Sequence, residues 1–135
     1  MTALDTNVVV RFLVRDDPKQ AESVRRRFKQ AEGRRERLTI PLPVVLELIW
    51  VLESVYDKTR SEILDAIRDM LHMQIFEFEA PAAIEGLLTD GPAFKADLSD
   101  ILIARTAENS GATEGLTFDK QAAKLPFFSL LKAER

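Results

Sequence analysis

The chain has 135 residues, 46% of them hydrophobic and 30% charged, with a formal net charge of -3 at pH 7. This composition is that of an ordinary globular protein, and the length predicts a single domain over residues 1–135 with a hydrophobic core. The lack of cysteine excludes disulfides and thiolate metal sites, and the single histidine argues against His-rich zinc sites and a Ser-His-Asp triad. No signal peptide or bilayer-spanning apolar run is visible, so we expect a cytoplasmic protein without a membrane partner.

Strands and helices are predicted to alternate from the start of the chain. Residues 2–5 are predicted to form the first strand, and a helix follows from Val8 to Val14 with Asn7 as its N-cap. The run Asp17-Pro18-Lys19-Gln20 is typical of a second helix start, with an Asp cap and a proline at the first helical position. Gly33 is predicted to end that helix.

The same alternation continues to the end of the chain. A capping box from Thr59 to Glu62 and an alternating strand pattern at residues 75–78 are its clearest signals. The remaining predicted elements are a strand at 38–40, helices from Pro43 to about Tyr56, from Thr59 to about Met73, from Pro81 to before Gly91 and from Asp97 or Ser99 to before Gly111, and strands at 115–118 and 127–131. Together they predict an α/β fold with a central, mainly parallel sheet flanked by helices.

Four carboxylates lie where such a fold places a binding site. Asp5 and Asp119 follow predicted strands, while Glu47 and Asp100 lie near predicted helix starts. Ligands of open parallel sheets bind beyond the carboxyl ends of the strands, so these acids are able to converge although they are far apart in sequence. Carboxylates are costly to bury without a partner, and the hard cations Mg²⁺ and Mn²⁺ prefer oxygen ligands. We therefore treat these four acids, together with Asp97, as candidate metal ligands.

A metal held by such a cluster is suited to phosphodiester hydrolysis. Four neighbouring carboxylates cannot all stay ionised without compensation, which one or two divalent ions would supply. A bound ion deprotonates water and stabilises charge on a scissile phosphate, and this chemistry needs no histidine, cysteine or serine nucleophile. Thr6, Asn7 and Thr117 are suited to orient the ligands or the water. Each acid alone is also suited to a turn or a helix cap, so the prediction rests on their combination.

The distribution of charge is compatible with a nucleic-acid partner. Setting the five candidate ligands aside changes the net charge from -3 to +2, because -3 + 5 = +2. Residues 22–37 hold six arginines and one lysine against three glutamates, a local balance of +4. Such a segment is able to face phosphates, and the alternative is a solvated helix face. The candidate phosphate contacts are Arg11, Arg15, Arg25, Arg26 and Arg27.

Four segments together resemble the PIN-domain ribonucleases, and among them the VapC-type toxins of bacterial toxin–antitoxin pairs. They are Leu4–Val8, Pro43–Leu48, Asp97–Ala104 and Leu116–Asp119. They occur in the same order as in the family, and the resemblance covers essentially the whole chain. The resemblance implies a PIN-like three-layer α/β fold and hydrolysis of RNA. It implies Mg²⁺ or Mn²⁺ bound by Asp5, Glu47, Asp100 and Asp119, with Asp97 in or near the site. We favour Asp100 over Asp97 as the third acid because it directly precedes an apolar helix. A homodimer and a small antitoxin that occludes the site are also implied.

Two other classes of function use the same residues. One is a non-catalytic PIN-like module for dimerisation or partner binding, and the other is a phosphatase or a nuclease acting on DNA. The complete set of acids argues against an inactive scaffold, whereas the choice of RNA rests on the resemblance alone. Phe12, Leu13 and Trp50 either line a groove for an antitoxin helix or belong to the core. The predicted dimer surface lies within Val44–Tyr56 or Ile63–Met73.

Overall fold

A computed structural model describes residues 1–133 of the chain. These residues form two compact units, Met1–Pro81 and a second unit from Ala82 onward. The first unit contains β1 (Thr2–Ala3), α1 (Thr6–Leu13), α2 (Pro18–Arg34), β2 (Leu38–Ile40), α3 (Leu42–Ser54), α4 (Arg60–Leu71) and β3 (Phe76–Phe78). The second unit contains α5 (Pro81–Asp90, whose first residue closes the first unit), α6 (Leu98–Asn109), β4 (Gly115–Thr117), a 3-10 turn (Ala122–Lys124) and β5 (Phe128–Leu130).

Every pair of neighbouring strands in the described residues is parallel. In the first unit the strand order is β1-β2-β3, with Thr2 opposite Leu38 and Leu38 opposite Phe76. In the second unit β4 pairs with β5, and Gly115 lies opposite Phe128. The predicted α/β fold with parallel pairing is confirmed, and the pairing is divided into a three-stranded and a two-stranded sheet. The prediction of a single domain over the whole chain stays a prediction.

The cap of α1 differs from the sequence-based expectation. The helix starts at Thr6, and its N-cap is Asp5 rather than Asn7. Asp5 has extended backbone angles, and its Oδ1 accepts the N–H of Val8 at 3.1 Å. An N-cap must lie outside the helix while its side chain reaches the first turn, and Asn7 already lies inside the helix. The strand before it is correspondingly shorter than predicted and ends at Ala3.

The second helix begins as predicted but ends later. Asp17 caps α2 by accepting the N–H of Gln20 at 3.1 Å, and Pro18 occupies the first helical position. The predicted stop at Gly33 is wrong, because α2 continues to Arg34. The chain leaves the helix at Arg35, whose φ of 55° lies in the left-handed region that glycine usually occupies.

Two further helices in the first unit start from different kinds of cap. The predicted capping box of α4 is confirmed, since Thr59 and Glu62 exchange both hydrogen bonds. In contrast, α3 starts one residue before the predicted Pro43 and has no side-chain cap of its own. The carboxylate of Glu79, from the segment after β3, accepts the N–H of Leu42 at 2.7 Å. A distant residue therefore stabilises the first turn of α3.

The core of the first unit determines which faces of its helices are buried. The rings of Phe12, Phe28 and Phe76 meet with centroid distances of 5.1–5.5 Å, and this joins α1, α2 and β3. The buried residues of α3 are Val44, Val45, Leu48, Ile49 and Leu52. This spacing places one face of α3 in the core and leaves the face that carries Glu47 exposed.

In the second unit the side chain of Arg105 lies against Gly86 and forms an ion pair with Asp90. Arg105 on α6 donates to Asp90 at the end of α5 through Nε at 2.7 Å and Nη2 at 2.9 Å. A Cβ at Gly86 would lie 2.7 Å from Cδ of Arg105, so a side chain there would displace the arginine. Glycine at this position therefore leaves room for the side chain of Arg105 to reach Asp90. Within residues 1–133, the helices are all too short or too polar to cross a bilayer.

Candidate metal centre

Three of the predicted ligands form a cluster within the second unit. One carboxylate oxygen from each of Asp97, Asp100 and Asp119 lies within 4.8 Å of the other two. Asp97 and Asp100 stand at the start of α6, and Asp119 follows β4. A strand end and a helix start thus supply the acids, as the sequence predicted for this type of fold.

Asp97 and Asp100 are held in place by the packing of α6. Leu98, Ile101 and Leu102 are buried, which orients the first turn of the helix. Asp97 occupies the N-cap position, yet its side chain makes no capping hydrogen bond. Acids at N-cap positions usually accept a backbone N–H from the first turn. The carboxylate of Asp97 is therefore not engaged as a cap and is able to serve the cluster.

Asp119 is oriented by the turn that follows β4. Its Oδ1 accepts the N–H of Gln121 at 2.8 Å and that of Ala122 at 3.4 Å. Its own N–H donates to Oγ1 of Thr117 at 3.0 Å. The bonds from Gln121 and Ala122 hold the carboxylate, and the bond to Thr117 holds the backbone that carries it. The predicted role of Thr117 in orienting a ligand or the water stays a prediction.

The cluster is electrostatically unfavourable without a cation. Partial burial raises the pKa of Asp100, and the neighbouring charges of Asp97 and Asp119 raise it further. Each cause opposes a negative charge at this position. A bound cation would remove the repulsion, and three carboxylates form a donor set suited to a hard divalent ion such as Mg²⁺. The residues present therefore fit a divalent metal.

The other two predicted ligands belong to the first unit. Asp5 is exposed at the start of α1, with buried Thr6 and exposed Asn7 following it. Glu47 is exposed on α3, opposite the face that carries the buried Leu48 and Ile49. Both carboxylates are accessible to an ion, and their inclusion in one site with the three aspartates stays a prediction.

Most of the predicted phosphate-binding arginines are engaged in ion pairs. Arg11 donates to Oδ1 of Asp16 at 2.9 Å, to the side-chain oxygen of Gln20 at 2.7 Å and to the hydroxyl of Tyr56 at 3.1 Å. In α2 the remaining pairs are Arg25 and Arg26 with Glu22, and Arg27 with Glu36. Arg15 is exposed beside a cleft of about 150 Å³ that Phe12 and Phe28 help to line.

Sequence reasoning missed several residues around these side chains. Glu79 supports the helix that carries Glu47, and no short-range pattern connects two residues so far apart. Lys19, Gln20 and Ser23 line a groove beside Asp5, which only the packing of α1 on α2 creates. Trp50 was assigned either to the core or to a partner surface. Its exposed fraction of 64% excludes a core position in this chain.

Comparisons with known proteins agree with this geometry. The family model described as PIN domain matches residues 2–128. A VapC ribonuclease from Aquifex aeolicus (strain VF5) is 27% identical over 127 residues, covering 94% of this chain and 93% of the relative. No solved structure matches the chain at a significant level.

Proposed function

Because the chain belongs to the PIN domain family, we propose that it is a metal-dependent endoribonuclease and the toxin of a toxin–antitoxin pair. The observation that carries the catalytic part of this proposal is the convergence of Asp97, Asp100 and Asp119 within 4.8 Å. The similarity to a VapC ribonuclease over nearly the full length of both chains supports RNA as the substrate.

The proposed ligands of Mg²⁺ or Mn²⁺ are Asp5, Glu47, Asp100 and Asp119, with Asp97 as a further ligand or a close neighbour. When bound, such an ion activates a water and stabilises charge on a scissile phosphate. Asp119 contributes an oxygen whose position is set by its bonds to Gln121 and Thr117. Asp100 contributes a carboxylate that a cation would keep ionised although burial opposes its charge.

The proposal also names three partners. RNA is the substrate, an antitoxin protein covers the site, and a second copy of the chain forms a homodimer. The exposed side chains of Trp50 and Val55 on and just after α3 support a dimer contact within Val44–Tyr56, because large exposed apolar side chains favour protein interfaces. The cytoplasm is the proposed location, since an RNA-cleaving toxin acts where its substrate is.

One experiment separates this proposal from its alternatives. The purified protein is incubated with labelled single-stranded RNA and with DNA of the same sequence, each with Mg²⁺, Mn²⁺ or EDTA. We expect cleavage of RNA with either metal and none in EDTA. Cleavage of DNA alone would show that the protein is a DNA nuclease and not a ribonuclease. Metal binding without cleavage of either polymer would favour a non-catalytic module.

A further inference from the structure

An open groove lies between α1 and α2, directly beside Asp5. It encloses about 360 Å³, which falls within the range of small-molecule sites, roughly 300–1,000 Å³. Residues that line it include Asp5, Asn7 and Val8 on one side and Lys19, Gln20 and Ser23 on the other. Because a proposed metal ligand is part of the wall, a molecule in the groove would lie against that ligand.

Lys19 is the cation of this groove that is available to a ligand. It is exposed in the first turn of α2, and it has no salt bridge among the ion pairs of residues 1–133. Arg11 also lines the groove, but Asp16, Gln20 and Tyr56 already hold its guanidinium. The ammonium group of a lysine is a compact charge that suits a phosphate.

The remaining walls of the groove combine polar and apolar groups. The side-chain oxygen of Gln20 accepts from Arg11 at 2.7 Å, so its amide nitrogen is the group left to donate. The hydroxyl of Ser23 donates to the carbonyl of Lys19 at 3.2 Å, so its lone pairs are left to accept. Val8 adds an apolar, half-buried surface. Donors, acceptors and an apolar face together match the edges and the flat face of a nucleoside.

We propose that this groove is a subsite for one nucleotide of a single-stranded RNA substrate, next to the scissile phosphate. Lys19 contacts the phosphate of that nucleotide, and Gln20 and Ser23 contact its ribose or base. The subsite rests on the proposed nuclease function, because its position beside Asp5 has meaning for catalysis only if Asp5 binds the metal. Lys19 makes the groove complementary to an anionic occupant, and continuity with Asp5 favours RNA over an acidic protein segment.

The test measures RNA binding separately from cleavage. Fluorescence anisotropy with a short, labelled, random-sequence single-stranded RNA is recorded in EDTA over a series of salt concentrations. Lys19→Gln should weaken binding several-fold at low salt and reduce the salt slope by about 0.7, the value for one phosphate on a single strand. Ser23→Phe fills the groove and should weaken binding at every salt concentration without changing the slope.

Matched controls use the same substitutions elsewhere in the first unit. Lys58→Gln and Ser61→Phe change exposed residues outside the groove, and we expect wild-type RNA binding from both. Circular dichroism confirms that all four variants are folded. If the two groove variants bind RNA as tightly as the controls, the subsite is wrong. This also holds if those variants have lost antitoxin binding, because the groove would then bind the antitoxin and not RNA. If RNA binding depends on the groove but Mg²⁺ and Mn²⁺ support no cleavage, the catalytic proposal fails and the subsite stands.

Discussion

Asp5 accepts the backbone N–H of Val8 at 3.1 Å, so the carboxylate proposed to bind a metal also caps α1. The two roles make different demands on the side chain. A cap needs one oxygen that accepts a hydrogen bond, and asparagine supplies it as well as aspartate does. A ligand for a divalent cation needs the negative charge, which asparagine lacks. The two roles of Asp5 can therefore be separated by substitution.

We expect Asp5→Asn to abolish metal-dependent cleavage while the melting temperature in EDTA stays at the wild-type value. Asp5→Ala should abolish cleavage and also destabilise the fold by about 1 kcal/mol, the typical effect of losing an N-cap. Urea denaturation in EDTA measures the stability, and cleavage of labelled RNA measures the activity.

Asp17 is the matched control, because it caps α2 by an equivalent bond to Gln20 and is not a proposed ligand. Asp17→Asn and Asp17→Ala should reproduce the two stability results and leave cleavage largely intact. Full activity of Asp5→Asn would remove Asp5 from the metal site.

Asp100→Asn should raise the melting temperature of the metal-free protein at neutral pH by up to a few degrees. The raised pKa of Asp100 means that its ionised form destabilises the folded state above that pKa. The penalty disappears as the pH falls through the raised pKa toward the ordinary value of 3.8, because the carboxyl is then protonated in both states. The gain from Asp100→Asn should vanish over the same range.

Thermal melts in EDTA at a series of pH values measure this effect, with Asp69→Asn on the exposed face of α4 as the control. Addition of Mg²⁺ should stabilise the wild type and the control, but stabilise Asp100→Asn less, since a ligand that binds the folded state raises its stability. A drop in the melting temperature of Asp100→Asn at neutral pH would mean that the residue is structural.

Glu47→Gln should abolish RNA cleavage and leave folding in EDTA unchanged. Glu47 is exposed, and the core face of α3 does not include it. The substitution removes the charge of a proposed ligand and keeps its size, so RNA binding should persist because phosphate affinity comes mainly from lysine and arginine. Cleavage and anisotropy assays run in parallel, with the exposed Glu85→Gln on α5 as control. Wild-type cleavage by Glu47→Gln would show that the proposed mechanism is wrong.

The basic segment of α2 should affect RNA binding less than its sequence indicates. Glu22 binds both Arg25 and Arg26, and the hydrogen bond from Arg25 is the main cause that lowers the pKa of Glu22 to about 2. Replacing both arginines by glutamine should weaken RNA binding and reduce the salt slope by at most about 1.4. Glu22→Gln should strengthen binding, because it releases both arginines.

Anisotropy measurements at several salt concentrations decide this point, and metal binding should be unchanged in every variant. Arg27 is left out of the variant because its partly buried pair with Glu36, which also accepts from Thr2, joins α2 to β1. Arg68→Gln on α4, whose partner is Asp65, is the control for an exposed ion pair. If the variant with both Arg25 and Arg26 replaced binds RNA like the wild type at every salt concentration, this segment is only a solvated helix face.

Trp50→Glu should convert the proposed homodimer into a monomer without unfolding it. Trp50 is 64% exposed on α3, so a charged residue there meets water in the monomer and an apolar surface in a dimer. Light scattering at micromolar concentration measures the mass, and Leu116→Glu, at another exposed apolar side chain, is the comparison. A monomeric wild type would refute the dimer, and a dimeric Trp50→Glu would locate it elsewhere.

The amino-acid sequence determined the features that depend on neighbours along the chain. The Asp17-Pro18 start of α2 and the capping box of Thr59 and Glu62 were predicted and observed, because each cap bonds to a backbone group three residues away. The parallel α/β class followed from alternating strand and helix patterns. The spacing of Asp97 and Asp100 likewise predicted two acids in one helical turn.

Only the tertiary structure decided which distant groups meet. It brought Asp119 to Asp97 and Asp100, and it placed Glu79 on the first turn of α3. Local patterns encode hydrogen bonds within one helical turn, whereas these contacts depend on how buried side chains pack segments that are remote in the chain. Packing therefore brings the predicted acids together, and it adds distant supports such as Glu79, which the sequence does not show.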